Sequence, residues 1–380
     1  SNTMPDKTHN CDDKMPFPEM VLLSGLSGTG KSALAQNLSS IVNTTKNLFV
    51  SGKFDQEKQS EPYTAFMSAF NRLCEITAPT QNLRTDLSEH SSILAIQSSL
   101  CSSIGSESAL LTEIIPKLSL FFDNQEITTT NNKSADMGYE TAKNKFNFLL
   151  RQFVRAFCRE KTLVLFLDDL QWADVASLEL LETLVLDRNN PGLLIIGSYR
   201  DNEVHDKNHP LTRCLHGINA QNNEIISSIP LQNLDLKTVN RFIADLLNAT
   251  ADKTVGLADI VHKKTHGNIF AVIHFLKNIE DEGILSYCIG LLKWKWNEDE
   301  IRSKTSVTDN VADILKSKIN KKLSAEERRV LQVASCLGGT FDSSSVFSVM
   351  DKLCSKEKTI GAKSEQIGSR IWSDLQPNKK

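Results

Sequence analysis

Gly25-Leu26-Ser27-Gly28-Thr29-Gly30-Lys31-Ser32 decides the fold. Met20-Val21-Leu22-Leu23 runs into it, a short apolar burst that reads as a buried parallel strand. From Ser32 to Ile41 the apolar residues follow at helical spacing. A strand, a glycine-rich turn and a helix in this order make a P-loop, GxxxxGK[ST]. Glycines let backbone N–H groups turn inward, and the helix presents its positive N-terminus to an anion. The motif therefore points to a nucleoside triphosphate, ATP or ADP with Mg²⁺. Gly25, Ser27, Gly28, Thr29, Gly30, Lys31, Ser32 and Ala33 are the expected binding residues. Lys31 is expected to reach the β- and γ-phosphates, and Ser32 to ligate the metal.

Outward from the loop, Leu48-Phe49-Val50 reads as a second strand, and helical spacing recurs from Gln56 to Lys161. Phe146 to Phe157 is amphipathic, and a polar stretch at about 124–137 reads as a loop. Leu163 to Leu167 and Leu193 to Gly197 are strong strands, with Val175 to Asp187 helical between them. Glu224 to Ile229 is a weaker strand. Strands alternating with helices predict an α/β three-layer core with a parallel sheet. After Pro230 the pattern is helical, over Leu236–Leu247, Val255–Lys264 and Asn268–Glu282, the last stopped by Gly283. A short β-like stretch holds Trp294 and Trp296, for which hairpin or core packing is expected rather than ligand stacking. Further helical patterns cover Val311–Leu323, Ala325–Ala334 and Ser343–Leu353.

Asp168 and Asp169 follow the strongest strand. Asp168, at the strand end, is expected to hold Mg²⁺, and Asp169 to act as general base on the attacking water. Ser198 and Arg200 end the next strand. If that strand lies between the P-loop strand and the Asp168 strand, both project toward the γ-phosphate, and Arg200 senses it or stabilises developing charge. Arg200-Asp201 has no asparagine five residues beyond the acid, Asp206 standing there, and no DFG exists, which excludes a protein kinase. His262 and His266 are four apart without a third ligand nearby and read as structural or surface residues. Lys316, Lys318, Lys321 and Lys322 read as a solvated helix face.

With 380 residues, 40% hydrophobic and 23% charged, the chain is an ordinary globular one with room for two or three cores. A net charge of -3 argues against binding nucleic acid or an anionic membrane by bulk charge. Eight scattered cysteines without a CxxC pair suit reduced thiols, hence a cytoplasmic or nuclear setting. No apolar run reaches the roughly 18 residues of a membrane span. The polar N-terminus has no apolar signal region.

The run Leu163 to Asp174, then Gly197 to Val204 with His209-Pro210-Leu211, resembles the STAND branch of AAA+-related ATPases. More closely it is similar to the origin-recognition-like AAA ATPase domain found beside protein kinases, histidine kinases and adenylate cyclases in large signalling proteins. Lys53-Phe54-Asp55-Gln56, Pro62-Tyr63 with Phe66, and Thr265-His266-Gly267-Asn268 match that subgroup too. The resemblance covers Glu19 to Ala334. It implies a P-loop core over 19–230, a helical lid over 231–290, a connecting segment over 291–307 and a partial winged-helix-like region over 308–380, after a flexible lead over 1–18. It implies a slowly hydrolysing ATP switch whose lid reports to an attached or partner effector of kinase or cyclase type, with nucleotide-dependent self-association a further expectation. Arg188 and Arg213 are candidates for an arginine acting in trans.

Three departures stand out. No Gly-Arg-Glu segment precedes the loop, and Ile269 replaces the proline usual after Gly-Asn. The winged-helix-like region stops near Trp372 to Leu375, so the chain is expected to be a fragment or a stand-alone remnant. Two rival functions remain: a DNA-binding initiator or loader, disfavoured by the charge, and an ATP-binding scaffold without turnover.

Overall fold

The computed structural model describes residues 18–42, 47–78, 87–122, 139–190, 192–204, 206, 208–221, 225–304, 316, 319–320, 323–337 and 342–356. The chain divides into two compact units, residues 1–232 and 233–380.

The first unit begins with β1 (Glu19–Ser24), α1 (Lys31–Val42), β2 (Asn47–Lys53), α2 (Thr64–Thr77), α3 (Leu87–Ile104) and the short α4 (Ser108–Thr112). There follow α5 (Tyr139–Cys158), β3 (Thr162–Asp168), α6 (Val175–Val185), β4 (Leu193–Tyr199), α7 (Pro210–Gln221) and β5 (Ile226–Pro230). The five strands pair in the order β2-β3-β4-β1-β5, each pair parallel. So β4 does lie between the P-loop strand and the Asp168 strand.

Alternation along the strands builds the two faces, because successive side chains point to opposite sides. Met20 and Leu22, Leu163, Leu165 and Leu167, and Leu193 and Ile195 share one core with residues of α2, α3, α5, α6 and α7. The intervening Leu23, Val164, Phe166 and Ile196 meet Ala35 of α1 on the other face. Both faces are covered, which is why these strands read as continuous apolar runs. The thicker side is locked by aromatic rings. Phe153 of α5 lies 5.1 Å from Phe70 and 5.0 Å from Phe157, centroid to centroid. The edge strand β5 is the least buried and ends in Pro230, a residue an edge tolerates.

At the ends of α5 and α6, away from the strand tips that carry the loop, Asp187 is buried. Arg155 reaches it with Nε at 2.9 Å and Nη2 at 2.6 Å, and Arg151 Nε lies at 3.4 Å. Asn190 Nδ2 adds a bond at 3.1 Å. Burial alone would raise the Asp187 carboxyl, but the bonds from Arg155 and Arg151 outweigh it and hold it below the usual carboxylate value.

The second unit contains α8 (Leu236–Leu246), α9 (Ala251–Thr265), α10 (Ile269–Asp281), a hairpin of β6 (Ser286–Cys288) with β7 (Lys293–Lys295), and α11 (Glu298–Lys304). Val239, Ile243, Leu257, Val261, Val272 and Leu276 form its core, with Trp294 and Trp296 packed against it. Trp294 also meets Tyr287 at 5.4 Å across the hairpin. Gly267 and Asn268 have distinct tasks here. A Cβ on Gly267 would stand 1.9 Å from the Leu234 carbonyl oxygen, and its φ is +72°. Asn268 caps α10 by accepting from the Ala271 N–H. Two further helices, Ala325–Ser335 and Ser343–Lys356, gather Ala334, Val346 and Met350 into a small cluster. The expected polar loop, the helix at Val311–Leu323 except for single residues, and the chain after 356 lie outside the described residues. Among the described residues no helix is long and apolar enough to cross a membrane.

Candidate nucleotide site

Parallel strands place all their C-terminal ends on one edge, and the loops leaving that edge carry the site. Here β1 delivers the P-loop, β3 delivers Asp168 and Asp169, β4 delivers Ser198 and Arg200, and β2 delivers Lys53. Register fixes the last pairing, with Lys53 opposite Asp168.

The loop holds its curve through left-handed or open glycines, Gly25 at φ +144°, Gly28 at +81° and Gly30 at +92°. Gly25 also has no room for a side chain, since a Cβ there would lie 2.2 Å from the Leu231 carbonyl oxygen. Leu231 N–H donates to Ser24 at 2.7 Å, which pins the chain leaving β5 onto the loop. Thr29 Oγ1 donates to the Leu26 carbonyl at 2.9 Å. Lys31 is buried, and its ammonium donates to the carbonyls of Gly25 at 2.8 Å and Leu26 at 2.7 Å. Burial, and then the charge of Arg200, pull its pKa below the usual lysine value, against the opposing pull of Asp169, Asp168 and Asp201. Ser27 and Ala33 are exposed on either side of the helix start.

Ser32 Oγ lies 2.9 and 2.8 Å from the two carboxylate oxygens of Asp168. Ser198, fully buried, donates its hydroxyl to Asp168 Oδ1 and accepts the Asp169 N–H at 3.2 Å. Its hydroxyl thus bridges the two acids within the sheet edge. Asp169 has φ +57° and is itself buried. Lys53 Nζ lies 2.9 Å from Asp169 Oδ2 and 3.7 Å from Asp168 Oδ2. Burial works against the Lys53 charge, but the hydrogen bond and charge of Asp169, then those of Asp168, prevail and raise its pKa.

Arg200 Nε is 3.7 Å from Asp169 Oδ1, and Nη1 pairs with Glu203 at 2.7 Å. Its guanidinium stands 4.6 Å over the Trp172 ring. The structure thus brings Lys31, Ser32, Asp168, Asp169, Ser198 and Arg200 to one edge of the sheet. Arg188 follows α6, and Arg213 lies on α7.

Three residues escaped the sequence reading. Lys53 figured there only as part of a matching run, although a lysine ending a parallel strand sits where ligands bind. Gln171 figured likewise only inside the Leu163 to Asp174 run and carries no periodicity or spacing signal of its own. Asp174 caps α6 by accepting from the Ser177 N–H at 2.8 Å, and an Asp just before a helical run is a signal that could have found it.

Hydroxyl and carboxylate oxygens are the hard donors that Mg²⁺ takes alongside phosphate oxygens and water, so Ser32 and Asp168 fit that ion. A glycine-rich loop with positive-φ glycines leading into the N-terminus of α1 fits a polyphosphate.

Among solved structures, the chain is similar to Cdc6p from Pyrobaculum aerophilum at 15% identity and a TM-score of 0.38, covering 94% of this chain and 78% of that one. Drosophila ORC, solved bound to DNA, aligns at 12% identity and a TM-score of 0.35, over 94% of this chain and 80% of that one. Hybrid signal transduction histidine kinase G of Dictyostelium discoideum is 30% identical over 85% of this chain. The chain spans only 10% of that protein's length. Over residues 9–196, the stretch that holds both the phosphate loop and the paired acids, the chain matches the family model described as AAA ATPase domain.

Proposed function

We propose that the first unit binds Mg²⁺·ATP and hydrolyses it slowly, and that an attached or partner effector reads the difference between the ATP and ADP states. One observation carries this reading: the Ser32 hydroxyl of the P-loop helix stands 2.8 Å from Asp168 Oδ2 at the end of β3. Ser32 and Asp168 would hold magnesium, which when bound neutralises charge on the β- and γ-phosphate oxygens. The N–H groups of Gly28, Thr29, Gly30 and Lys31, with those of Ser32 and Ala33, bind the phosphates. Lys31 exchanges the carbonyls of Gly25 and Leu26 for phosphate oxygens. Asp169 accepts the proton of the attacking water. Arg200 stabilises charge developing on the transferred group. Ser198 keeps Asp168 turned toward Ser32.

Two observations support the switch. The matched relative is named as a signal transduction histidine kinase, so a module of this kind occurs in a signalling protein. The site is also tied down by its own charges: Lys31 on loop carbonyls and Lys53 on Asp169. Rearranging those contacts differently for ATP and ADP is what gives two nucleotides different states to favour.

Calorimetric titration with ATP and ADP, with and without Mg²⁺, together with a turnover assay, tests the reading. Lys31→Ala should lose detectable ATP binding while keeping its melting temperature within a few degrees. Unchanged affinity in that variant would remove the P-loop from the mechanism. Equal affinity for ATP and ADP with no turnover would leave nothing to switch.

A further inference from the structure

Gln171 lies in the short helical turn Leu170–Trp172 and is only 4% exposed. A buried carboxamide must satisfy a donor end and an acceptor end. Its Nε2 donates to Asp169 Oδ1 at 3.0 Å, and its Oε1 accepts the backbone N–H of Arg200 at 3.1 Å. The partners fix which end is which, because a carboxylate cannot donate and a backbone N–H cannot accept. The other Asp169 oxygen is taken by Lys53 at 2.9 Å. The Asp169 backbone N–H is taken by Ser198. Arg200 Nε itself stands 3.7 Å from Asp169 Oδ1, a longer ion pair. Gln171 is the hydrogen-bonded link that joins the carboxylate to the backbone of the segment carrying Arg200.

We infer that Gln171 is a positioning residue for hydrolysis: its carboxamide sets the rotation of the Asp169 carboxylate and locks it to the end of β4, so that Asp169 and Arg200 address the same γ-phosphate together. This rests on the reading of Asp169 as the base. Few side chains other than glutamine meet both demands at this length. Glutamate keeps the acceptor for Arg200 N–H but sets an anion against Asp169. Methionine has a similar length and makes neither bond.

The test is a double-mutant cycle in the whole chain, using Gln171→Met, Gln171→Glu, Asp169→Asn and Gln171→Met with Asp169→Asn. Equilibrium Mg²⁺·ATP binding and single-turnover hydrolysis are read for each. Both Gln171 variants should keep ATP affinity within about threefold and slow the chemical step by about tenfold to a hundredfold, the scale of one lost bond to a charged group. In the Asp169→Asn background, Gln171→Met should slow hydrolysis little further, because the group it positions is gone. Should Gln171→Met fold poorly, Gln171→Glu against wild type decides the case. Wild-type hydrolysis in the Gln171 variants, with Asp169→Asn slow, overturns this inference and leaves the base intact. Full additivity in the cycle overturns it too. Hydrolysis by Asp169→Asn at the wild-type rate overturns the base assignment and the inference with it.

Discussion

Ser32 and Asp168 stand 136 residues apart in the chain, yet the serine hydroxyl lies within 2.9 Å of both carboxylate oxygens. The contact joins the first turn of α1 to the end of β3, past the intervening β4. Asp168→Asn should therefore weaken Mg²⁺-dependent ATP binding by about tenfold or more, since a hard cation loses its anionic partner. ATP binding without Mg²⁺ should change far less. Titrations with and without Mg²⁺ give both numbers, and an equal loss in the two would assign Asp168 to the fold rather than to the ion.

Asp169→Asn keeps the side-chain shape and the tolerance for a left-handed backbone. It should leave ATP affinity nearly intact and lower turnover by about a hundredfold or more, the scale of a general base. Single-turnover hydrolysis checks this directly. Its expected signature is accumulation of the ATP-bound protein.

Trp172 stacks under Arg200, whose guanidinium is 4.6 Å away. If Arg200 turns toward a γ-phosphate, that stacking changes. Mg²⁺·ATP should alter tryptophan emission, and Mg²⁺·ADP should alter it differently. Trp294 and Trp296 pack in the second unit. Trp172→Phe should thus remove most of the signal, and an undiminished response would locate the nucleotide-sensing movement elsewhere.

Asp187 concerns stability rather than chemistry. Its side chain is 1% exposed, against 14% for Arg155 and 34% for Arg151. Asp187→Ala should destabilise the fold by about 3 kcal/mol, because it strands the Arg155 charge. The folded carboxyl sits below its ordinary value of 3.8. A depressed acid stabilises above its unfolded pKa and loses that contribution as pH falls through the folded one. The stability gap between wild type and Asp187→Asn should accordingly be constant above about pH 5 and shrink below pH 4. Urea melts at stepped pH measure it. A gap that ignores pH would show that packing, not charge, accounts for the loss.

Most of the sheet was legible because buried parallel strands leave apolar runs with glycines or acids at their ends. Met20–Leu23 became β1 with one residue added at each end, and Leu163–Leu167 became β3 in the same way. The strand expected over Glu224–Ile229 appears as β5 over Ile226–Pro230, with Glu224 outside the described residues, and its exposed Ser227 and Ser228 show why this edge strand carries little pattern. Helix α5 begins at Tyr139 rather than Phe146, its first two turns being polar. In the candidate site, the residues that local motifs announce, Lys31, Ser32, Asp168, Asp169, Ser198 and Arg200, lie together at one sheet edge. Lys53 and Gln171 are not announced in that way, because their places beside the acids come from strand register and from a carboxamide joining two loops. Neither leaves a periodicity in the chain.

The left-handed backbone at Asp169 governs which acid can occupy that place. Among residues with a side chain, aspartate and asparagine enter this conformation most readily, because their short polar groups bond locally. Glutamate, the longer acid, would carry a conformational cost there and overshoot the amide of Gln171. The shorter acid is thus the outcome of chain geometry at the sheet edge. A lineage that exchanged it for glutamate would first have to unwind that one residue, and so would lose the turn that lets two neighbouring carboxylates share a single lysine.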